Sequence, residues 1–258
     1  MVKTFTKNEK NVIRIMVAAV IIAAAIFIGI LYVNDYYRAT EKAQRAILGS
    51  DRVKVVEEED YYVFTQTIKE DSAGTSGDLS GTGKGIIFYP GGKVDEVAYA
   101  PMLLELAEYG YEVYLVKMPA KLAIFGKNAA EDIIEDNPHI KEWTMMGHSL
   151  GGAMAADFCA SHDGKIDGLV LLAAYSMKDL TKTDVQVFSF YGTEDEVLNA
   201  ENYEKYRENL PKETVEVVID GGNHAYYAHY GEQEGDGKAT ITRAEQQECV
   251  IDLFISYQ

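Results

Sequence analysis

The residues best placed to do chemistry are a serine and the glycines around it, directly after an apolar run. Residues 147–151 fit the pattern Gly-x-Ser-x-Gly, with Ser149 at the centre. The run before them predicts a strand, and "GGAMAADFCASH" after them predicts a helix. A serine at such a tight strand-to-helix turn holds its hydroxyl exposed at the tip, as a nucleophile does. Ser149 is therefore the candidate nucleophile, and the alternative is a glycine-rich turn with an incidental serine.

A serine hydroxyl becomes a good nucleophile only beside a base that an acid orients. Where this kind of turn carries the serine, the acid and then the histidine follow it along the chain. Of the five histidines, His224 and His229 come late enough. His224 follows the predicted strand "TVEVVID" by a short glycine-bearing loop, which predicts it as the base. His229 is more typical of a surface or pocket residue.

The acid is expected after the preceding strand, "VQVFSFYG". Three acids follow that strand, Glu194, Asp195 and Glu196. The pattern Gly-Thr-x-Asp-x-Val favours Asp195, with Glu194 as the second choice. A solvated acidic turn would also fit the neighbouring glutamates, but it would leave His224 without a partner.

An oxyanion formed by attack of the serine needs two backbone N–H donors. The amide after the nucleophile, that of Leu150, supplies one. The loop "FYPGGKV" at 88–94 can supply the other, and we expect the donor to be Gly92, with Lys93 as the alternative. An ordinary Pro-Gly turn is the competing interpretation of this loop.

From Gly85 onward, short apolar strands alternate with helical segments. Strands that are apolar on both faces predict a mostly parallel sheet with helices on both sides, an α/β fold. Sites in such sheets form where the strands end. "YYVFTQTI" at 61–68 predicts one earlier strand, and the glycine- and serine-rich residues 71–85 predict a loop.

The N-terminal part has a different character. Residues 15–33 contain no charge over nineteen positions, which is about the length that crosses a bilayer. We predict a cytoplasmic basic tail at 1–14, a single transmembrane anchor at 15–33, a stalk at 34–59 and a catalytic domain at 60–258 outside the cytoplasm. A cleaved signal peptide and a buried core helix are the alternatives.

Charge excludes one class of partner. Beyond Asn34 the chain carries 40 acidic residues against 20 Lys and Arg. Nucleic-acid binding needs a basic surface, so we expect no such partner. Cys159 and Cys249 are too few for a disulfide framework, and we expect two buried thiols on opposite faces of the sheet.

The motifs together resemble the α/β hydrolase superfamily, in its small branch near the dienelactone hydrolases and bacterial carboxylesterases. The resemblance runs from about Gly85 to the C-terminus. It implies the α/β-hydrolase fold, a Ser149–His224–Asp195 triad, and an oxyanion hole of Gly92 and Leu150. The segments that carry it are "FYPGGKVDEVAYAP", "GHSLGGAMAA", "YGTEDEV" and "GGNHAYY".

Two departures from relatives bear on the substrate. Dienelactone hydrolases use a cysteine where this chain has Ser149, so their lactone substrate is not implied. The short stretch "SMKDLTKTDV" between the predicted strands leaves no room for a lid, so the site should be open. Its expected walls are the residues near the strand ends, Tyr89, Met118, Phe125, Tyr175, Tyr191 and Tyr226.

The leading interpretation is a membrane-anchored serine hydrolase acting on a small-molecule ester or acyl substrate, without metal or other cofactor. A thioesterase, an acyltransferase or a peptidase would use the same triad. A non-catalytic module would not need all three residues. A metal site of His224, His229 and Glu232 or Asp236 is disfavoured because the spacing fits no helical ligand pair.

Overall fold

The computed structural model describes residues 6–67 and 82–257, so most of the predicted loop at 71–85 lies outside the described residues. Within them, eight strands form one sheet in the order β1-β2-β4-β3-β5-β6-β7-β8. The strands are β1 (Val53–Glu57), β2 (Tyr61–Gln66), β3 (Lys84–Tyr89), β4 (Glu112–Val116), β5 (Glu142–His148), β6 (Gly168–Leu172), β7 (Gln186–Gly192) and β8 (Val215–Ile219). The helices are α1 (Lys7–Asn34), α2 (Glu41–Ala46), α3 (Ala100–Glu108), α4 (Ala130–Asp136), α5 (Leu150–Ser161), α6 (Ala200–Tyr206) and α7 (Arg243–Ser256).

The sheet is mostly parallel, as the alternation of strands and helices predicts. Strands β3 to β8 pair in parallel, and β2 is antiparallel to both of its neighbours, β1 and β4. The register places Tyr89 opposite Gly147 and Leu172 opposite His148. The loops that follow β3, β5 and β6 therefore begin along the same edge of the sheet, where the candidate site residues lie.

Both faces of the sheet are covered. Successive residues of a strand point to opposite faces. Ile86 and Phe88 accordingly pack with α2, α3 and α7, whereas Ile87 and Tyr89 pack with α4 and α5. Each cluster forms a separate apolar layer between one face of the sheet and the helices that cover that face.

The two cysteines lie on opposite faces, as expected, and both are free thiols. Cys159 is buried in α5, and burial raises the pKa of its thiol. The prediction of a second buried thiol is wrong. Cys249 is only half-buried, because α7 packs one side of its surface against the sheet and leaves the flank exposed.

The predicted stalk at 34–59 is wrong from Tyr37 onward, because these residues belong to the folded unit Tyr37–Gln258. Val53 opens β1 and is fully buried, as is Ala43 in α2. The Tyr37 amide donates to the carbonyl of Lys93, and the Thr40 amide donates to that of His229. The charged composition that suggested a stalk reflects an edge strand and a short helix, each with one face in water.

The first unit, Met1–Tyr36, holds α1. Thr6 and Glu9 form a reciprocal capping box at its start. By length and composition α1 can cross a bilayer, and a signal sequence would meet the same criterion.

Candidate active site

Ser149 occupies the turn between β5 and α5 in a strained backbone conformation, with φ 52° and ψ −122°. Such a conformation costs on the order of 1–3 kcal/mol for a residue with a side chain. Close packing holds it in place. A Cβ on Gly151 would lie 2.1 Å from the Tyr89 carbonyl oxygen, and one on Gly147 would lie 2.6 Å from the Gly151 backbone. The glycines thus let β3, β5 and α5 approach closely enough to fix the turn.

His224 and Asp195 form a buried pair at the ends of neighbouring strands. The Nδ1 atom of His224 lies 2.9 Å from Oδ2 of Asp195, and the side chains are 3% and 1% exposed. The other carboxylate oxygen of Asp195 accepts hydrogen bonds from the backbone amides of Val197 and Leu198, at 2.9 and 2.8 Å. The two backbone amides therefore hold one oxygen of the carboxylate in place, and the other oxygen orients the imidazole of His224.

The competing candidates lie elsewhere. The Glu194 carboxylate accepts the Thr193 hydroxyl at 3.1 Å, so Asp195 is the acid that meets His224. The Nε2 atom of His229 lies 3.3 Å from Oε1 of Gln247. Burial, with the nearby charges of Lys42 and Arg243, lowers the pKa of His229 to about 4. A base with so low a pKa binds protons weakly near neutral pH.

The loop after β3 contains one amide without a partner among the described residues. The amide of Gly91 donates to the hydroxyl of Tyr99, and that of Lys93 donates to the carbonyl of Lys121. Within the described residues, the amide of Gly92 between them has no protein acceptor. A Cβ on Gly92 would lie 3.1 Å from the side chain of Leu150, so this loop packs against the start of α5. Gly92 rather than Lys93 is thus available as a donor.

The amide of Leu150 is the first of α5. The first amides of a helix have no acceptor within the helix, and the helix dipole makes this end favourable for negative charge. An oxyanion between Gly92 and Leu150 would satisfy both donors.

Asp236 is a residue of the site that sequence reasoning considered only as a metal ligand. One oxygen of its carboxylate accepts the amides of Gly237 at 2.9 Å, His224 at 3.3 Å and Glu196 at 3.4 Å. The other accepts the amide of Ala225 at 2.9 Å. Asp236 therefore joins the loop that carries the acid to the loop that carries the histidine. No local motif marks it, because the contacts span up to forty residues of chain.

Ser149 and His224 line one cavity of about 280 Å³. It lies between the start of α5, the loop after β6 and the loop after Asp195. Among the residues that the structure describes, no Asp, Glu, Lys or Arg lines it. Its walls are largely apolar, and they include Leu150, Ala153, Met154, Ala174, Val197 and Leu198.

The segment between β6 and β7, where a lid would be inserted, is short. No helix forms between β6 and β7 in the structure, and Met177 in this stretch is 55% exposed at the cavity mouth. The expectation of a lid-free site fits this arrangement.

Of the six expected wall residues, the structure brings only Tyr175 to this cavity. The hydroxyl of Tyr89 is held in the core by Lys127 and Ala130, and Met118 is buried beneath Gly126. The other three also lie elsewhere, so these assignments are corrected. Phe125 is exposed to solvent, Tyr191 lines a separate groove, and Tyr226 stacks under the guanidinium of Arg243.

The metal alternative lacks a ligand set. Across residues 6–67 and 82–257, no three His, Cys, Asp or Glu side chains are arranged to hold a metal ion. The carboxylate of Asp236 is occupied by backbone amides, and the imidazole of His229 faces Gln247.

Comparison with known proteins agrees with the fold. Residues 85–248 match the model of the alpha/beta hydrolase family, and the chain belongs to that family. It is also 31% identical over 104 residues to a "Putative non-heme haloperoxidase" of Mycobacterium phage D29. That match spans 36% of this chain and 37% of the length of the phage protein.

Solved structures show the same fold at low identity. A predicted CIB-like hydrolase from Thermoplasma acidophilum superposes with a TM-score of 0.55 at 16% identity, over 79% of this chain and 97% of that one. Esterase 2 of Thermogutta terrifontis gives a TM-score of 0.54 at 14% identity, over 82% and 96%. A monoacylglycerol lipase of Paleococcus ferrophilus gives a TM-score of 0.52 at 15% identity, over 67% of this chain and 95% of that one.

Proposed function

We propose that this chain is a serine hydrolase that cleaves carboxylic esters through an acyl-enzyme on Ser149. The hydroxyl of Ser149 loses its proton to His224 as its oxygen bonds to the ester carbonyl carbon. His224 then returns that proton to the departing alcohol as the ester C–O bond breaks. In the second half, His224 takes a proton from water as the water oxygen bonds to the acyl carbon. The bond between that carbon and Oγ of Ser149 then breaks, His224 returns the proton to Ser149, and the carboxylic acid leaves.

One observation carries this proposal. A serine in a strained strand-to-helix turn lines the same cavity as a histidine whose Nδ1 is paired with a buried carboxylate. Asp195 stabilises the imidazolium that forms during turnover, and the amides of Gly92 and Leu150 receive the oxyanion.

The cavity supports a small apolar acyl group as the substrate portion that reaches the serine. Its 280 Å³ is near the lower end of the range for ligand sites. Among the residues that the structure describes, no Lys or Arg lines the cavity, so its walls offer no cationic partner for the phosphates of a phosphorylated acyl carrier. This favours hydrolysis of simple esters over the thioesterase and acyltransferase alternatives.

We further propose that α1 anchors the enzyme in a membrane, with the catalytic unit outside the cytoplasm. Basic residues precede the apolar stretch 15–33, and the residues after it are predominantly acidic. A reporter fused after Gln258 should be active only if it functions outside the cytoplasm. Activity of a cytoplasm-only reporter at this position would contradict the orientation.

The enzymatic proposal is tested by ester hydrolysis. The full chain in detergent should hydrolyse a short activated ester, and paraoxon should inhibit it, as the Thermogutta esterase was found phosphorylated by paraoxon. Ser149→Ala should leave only a small residual rate from the oxyanion hole. Wild-type turnover by a folded Ser149→Ala protein would refute the proposal.

A further inference from the structure

The loop that carries Gly92 is held on both sides of that residue. The Gly91 amide donates to the Tyr99 hydroxyl over 2.9 Å, and the Lys93 amide donates to the Lys121 carbonyl over 2.8 Å. With its neighbours fixed, the peptide of Gly92 has little freedom to reorient its N–H. The anchor at Gly91 is a side chain, so it can be removed by a single substitution.

The anchoring hydroxyl has a second partner at the base of the nucleophile turn. Oη of Tyr99 lies 2.8 Å from Nδ1 of His148, the residue directly before Ser149. A tyrosine hydroxyl has one proton to donate. This oxygen accepts from Gly91, and we assign its proton to Nδ1 of His148, because the other tautomer would leave the hydroxyl proton without an acceptor. A Cβ on Gly91 would lie 2.9 Å from both of these side-chain atoms, so glycine is needed at this position.

His148 is suited to be a neutral acceptor. Its side chain is buried, and its ring centroid lies 4.6 Å from that of His224. Burial, and then the neighbouring His224, hold the pKa of His148 well below its usual range. Burial also raises the pKa of Tyr99, so that its hydroxyl keeps its proton. The hydrogen bond between Tyr99 and His148 therefore stays between two uncharged groups while the neighbouring His224 transfers protons during the proposed reaction.

From this geometry we infer that Tyr99 and His148 are positioning residues that fix the oxyanion loop against the nucleophile turn. Tyr99 lies between a short 3-10 segment and α3, so it links three parts of the fold: the loop after β3, the end of β5 and the start of α3. The inference rests on the proposed serine-hydrolase function. The two residues act through Gly91 and Ser149 and do not touch the substrate.

The first test is Tyr99→Phe in the full chain, which removes only the hydroxyl. The amide of Gly92 should lose its fixed direction, so kcat should fall by about ten- to a hundredfold, since misplacing a catalytic group by an ångström has an effect of that size. KM should not change, because the walls of the acyl cavity remain. An alkylboronic acid, which forms a tetrahedral adduct on a catalytic serine, should lose affinity by the same factor as kcat/KM.

His148 provides a matched pair of substitutions. Asparagine can place a polar atom where Nδ1 lies and accept the Tyr99 proton, whereas leucine has a similar size and no acceptor. His148→Leu should therefore reproduce the loss in kcat and in boronate affinity, and His148→Asn should recover most of it. Tyr203→Phe is the stability control, because it removes a buried hydroxyl that bonds Ser189 and Glu216 and does not line the cavity of Ser149. Its melting temperature should fall while its kcat stays at the wild-type value.

Hydrogen exchange separates failure of this inference from failure of the proposed function. The Gly91 amide should exchange faster in Tyr99→Phe than in the wild type or in Tyr203→Phe, whether or not an ester is hydrolysed. An active wild type with unchanged kcat, boronate affinity and Gly91 exchange in Tyr99→Phe would overturn the inference. Equal rates in His148→Leu and His148→Asn would also overturn it. A wild type that neither hydrolyses esters nor binds boronate would refute the serine-hydrolase proposal, and with it the catalytic role of the pair.

Discussion

Oδ2 of Asp195 lies 2.9 Å from Nδ1 of His224, and almost none of either side chain is exposed to solvent. A buried carboxylate in this place fixes the imidazole tautomer that can accept a proton from Ser149. Asp195→Asn should keep the shape of the site and present the wrong tautomer, so kcat should fall by about 10⁴-fold, as in the best-studied triad. Steady-state kinetics on an activated ester measures this.

Glu194→Gln is the matched control for that experiment, since it makes the same chemical change one residue away. In the wild type, the Glu194 carboxylate accepts a hydrogen bond from Thr193 and does not contact His224. The kcat of Glu194→Gln should therefore stay close to that of the wild type. A large loss in Glu194→Gln together with an active Asp195→Asn would mean that the wrong acid has been assigned.

A substitution of Asp236 tests whether alignment of the proposed triad depends on a carboxylate outside it. Asp236→Asn replaces a carboxylate that accepts from backbone N–H groups by a side-chain amide whose NH₂ group is not an acceptor. The change should loosen the contact between the loop of Asp195 and the loop of His224. We expect kcat to fall by about tenfold or more with KM unchanged, because a small displacement of His224 is enough for such a loss.

The control for Asp236 is Asp167→Asn. Asp167 also accepts a backbone amide, that of Trp143 at 2.8 Å, but at the opposite end of the sheet. Both variants should melt at lower temperature, and only Asp236→Asn should lose turnover. Equal kcat values in the two folded variants would show that Asp236 contributes to stability alone.

The boundary of the folded unit Tyr37–Gln258 gives a third prediction. A fragment that begins at Tyr37 keeps α2 and β1, whereas one that begins at Asp60 loses them and exposes the edge of β2. The buried side chain of Val53 alone contributes roughly 1.5 kcal/mol or more. The longer fragment should unfold cooperatively in a circular dichroism melt, and the shorter should aggregate or melt at much lower temperature. Equal melting of the two fragments would contradict the corrected boundary.

Much of the parallel sheet could be predicted because each strand is a short apolar run and each intervening helix ends near a glycine or proline. The placement of Ser149, Asp195 and His224 at one edge of the sheet was predictable for a related reason. Each follows a strand, and parallel strands end along one edge, so position in the chain gives position in the fold.

The walls of the cavity beside Ser149 and the contacts of Tyr99 and Asp236 could not be predicted in the same way. The end of a strand fixes the edge where a residue lies, but the face to which its side chain points depends on register, and Tyr89 points into the core beside α4. Tyr99 and Asp236 act on backbone amides that are distant in sequence, so no local spacing marks them. β1 was missed because one of its faces is polar and its pairing is visible only in the sheet.

The central claim, that Ser149 is the nucleophile, is tested most directly by the mass of the protein after reaction with a fluorophosphonate probe. The account predicts one added probe, located by peptide mass spectrometry on Ser149, no addition in Ser149→Ala, and slow addition in His224→Gln. A folded wild-type protein that takes up no probe, or takes it up equally in Ser149→Ala, would contradict the account.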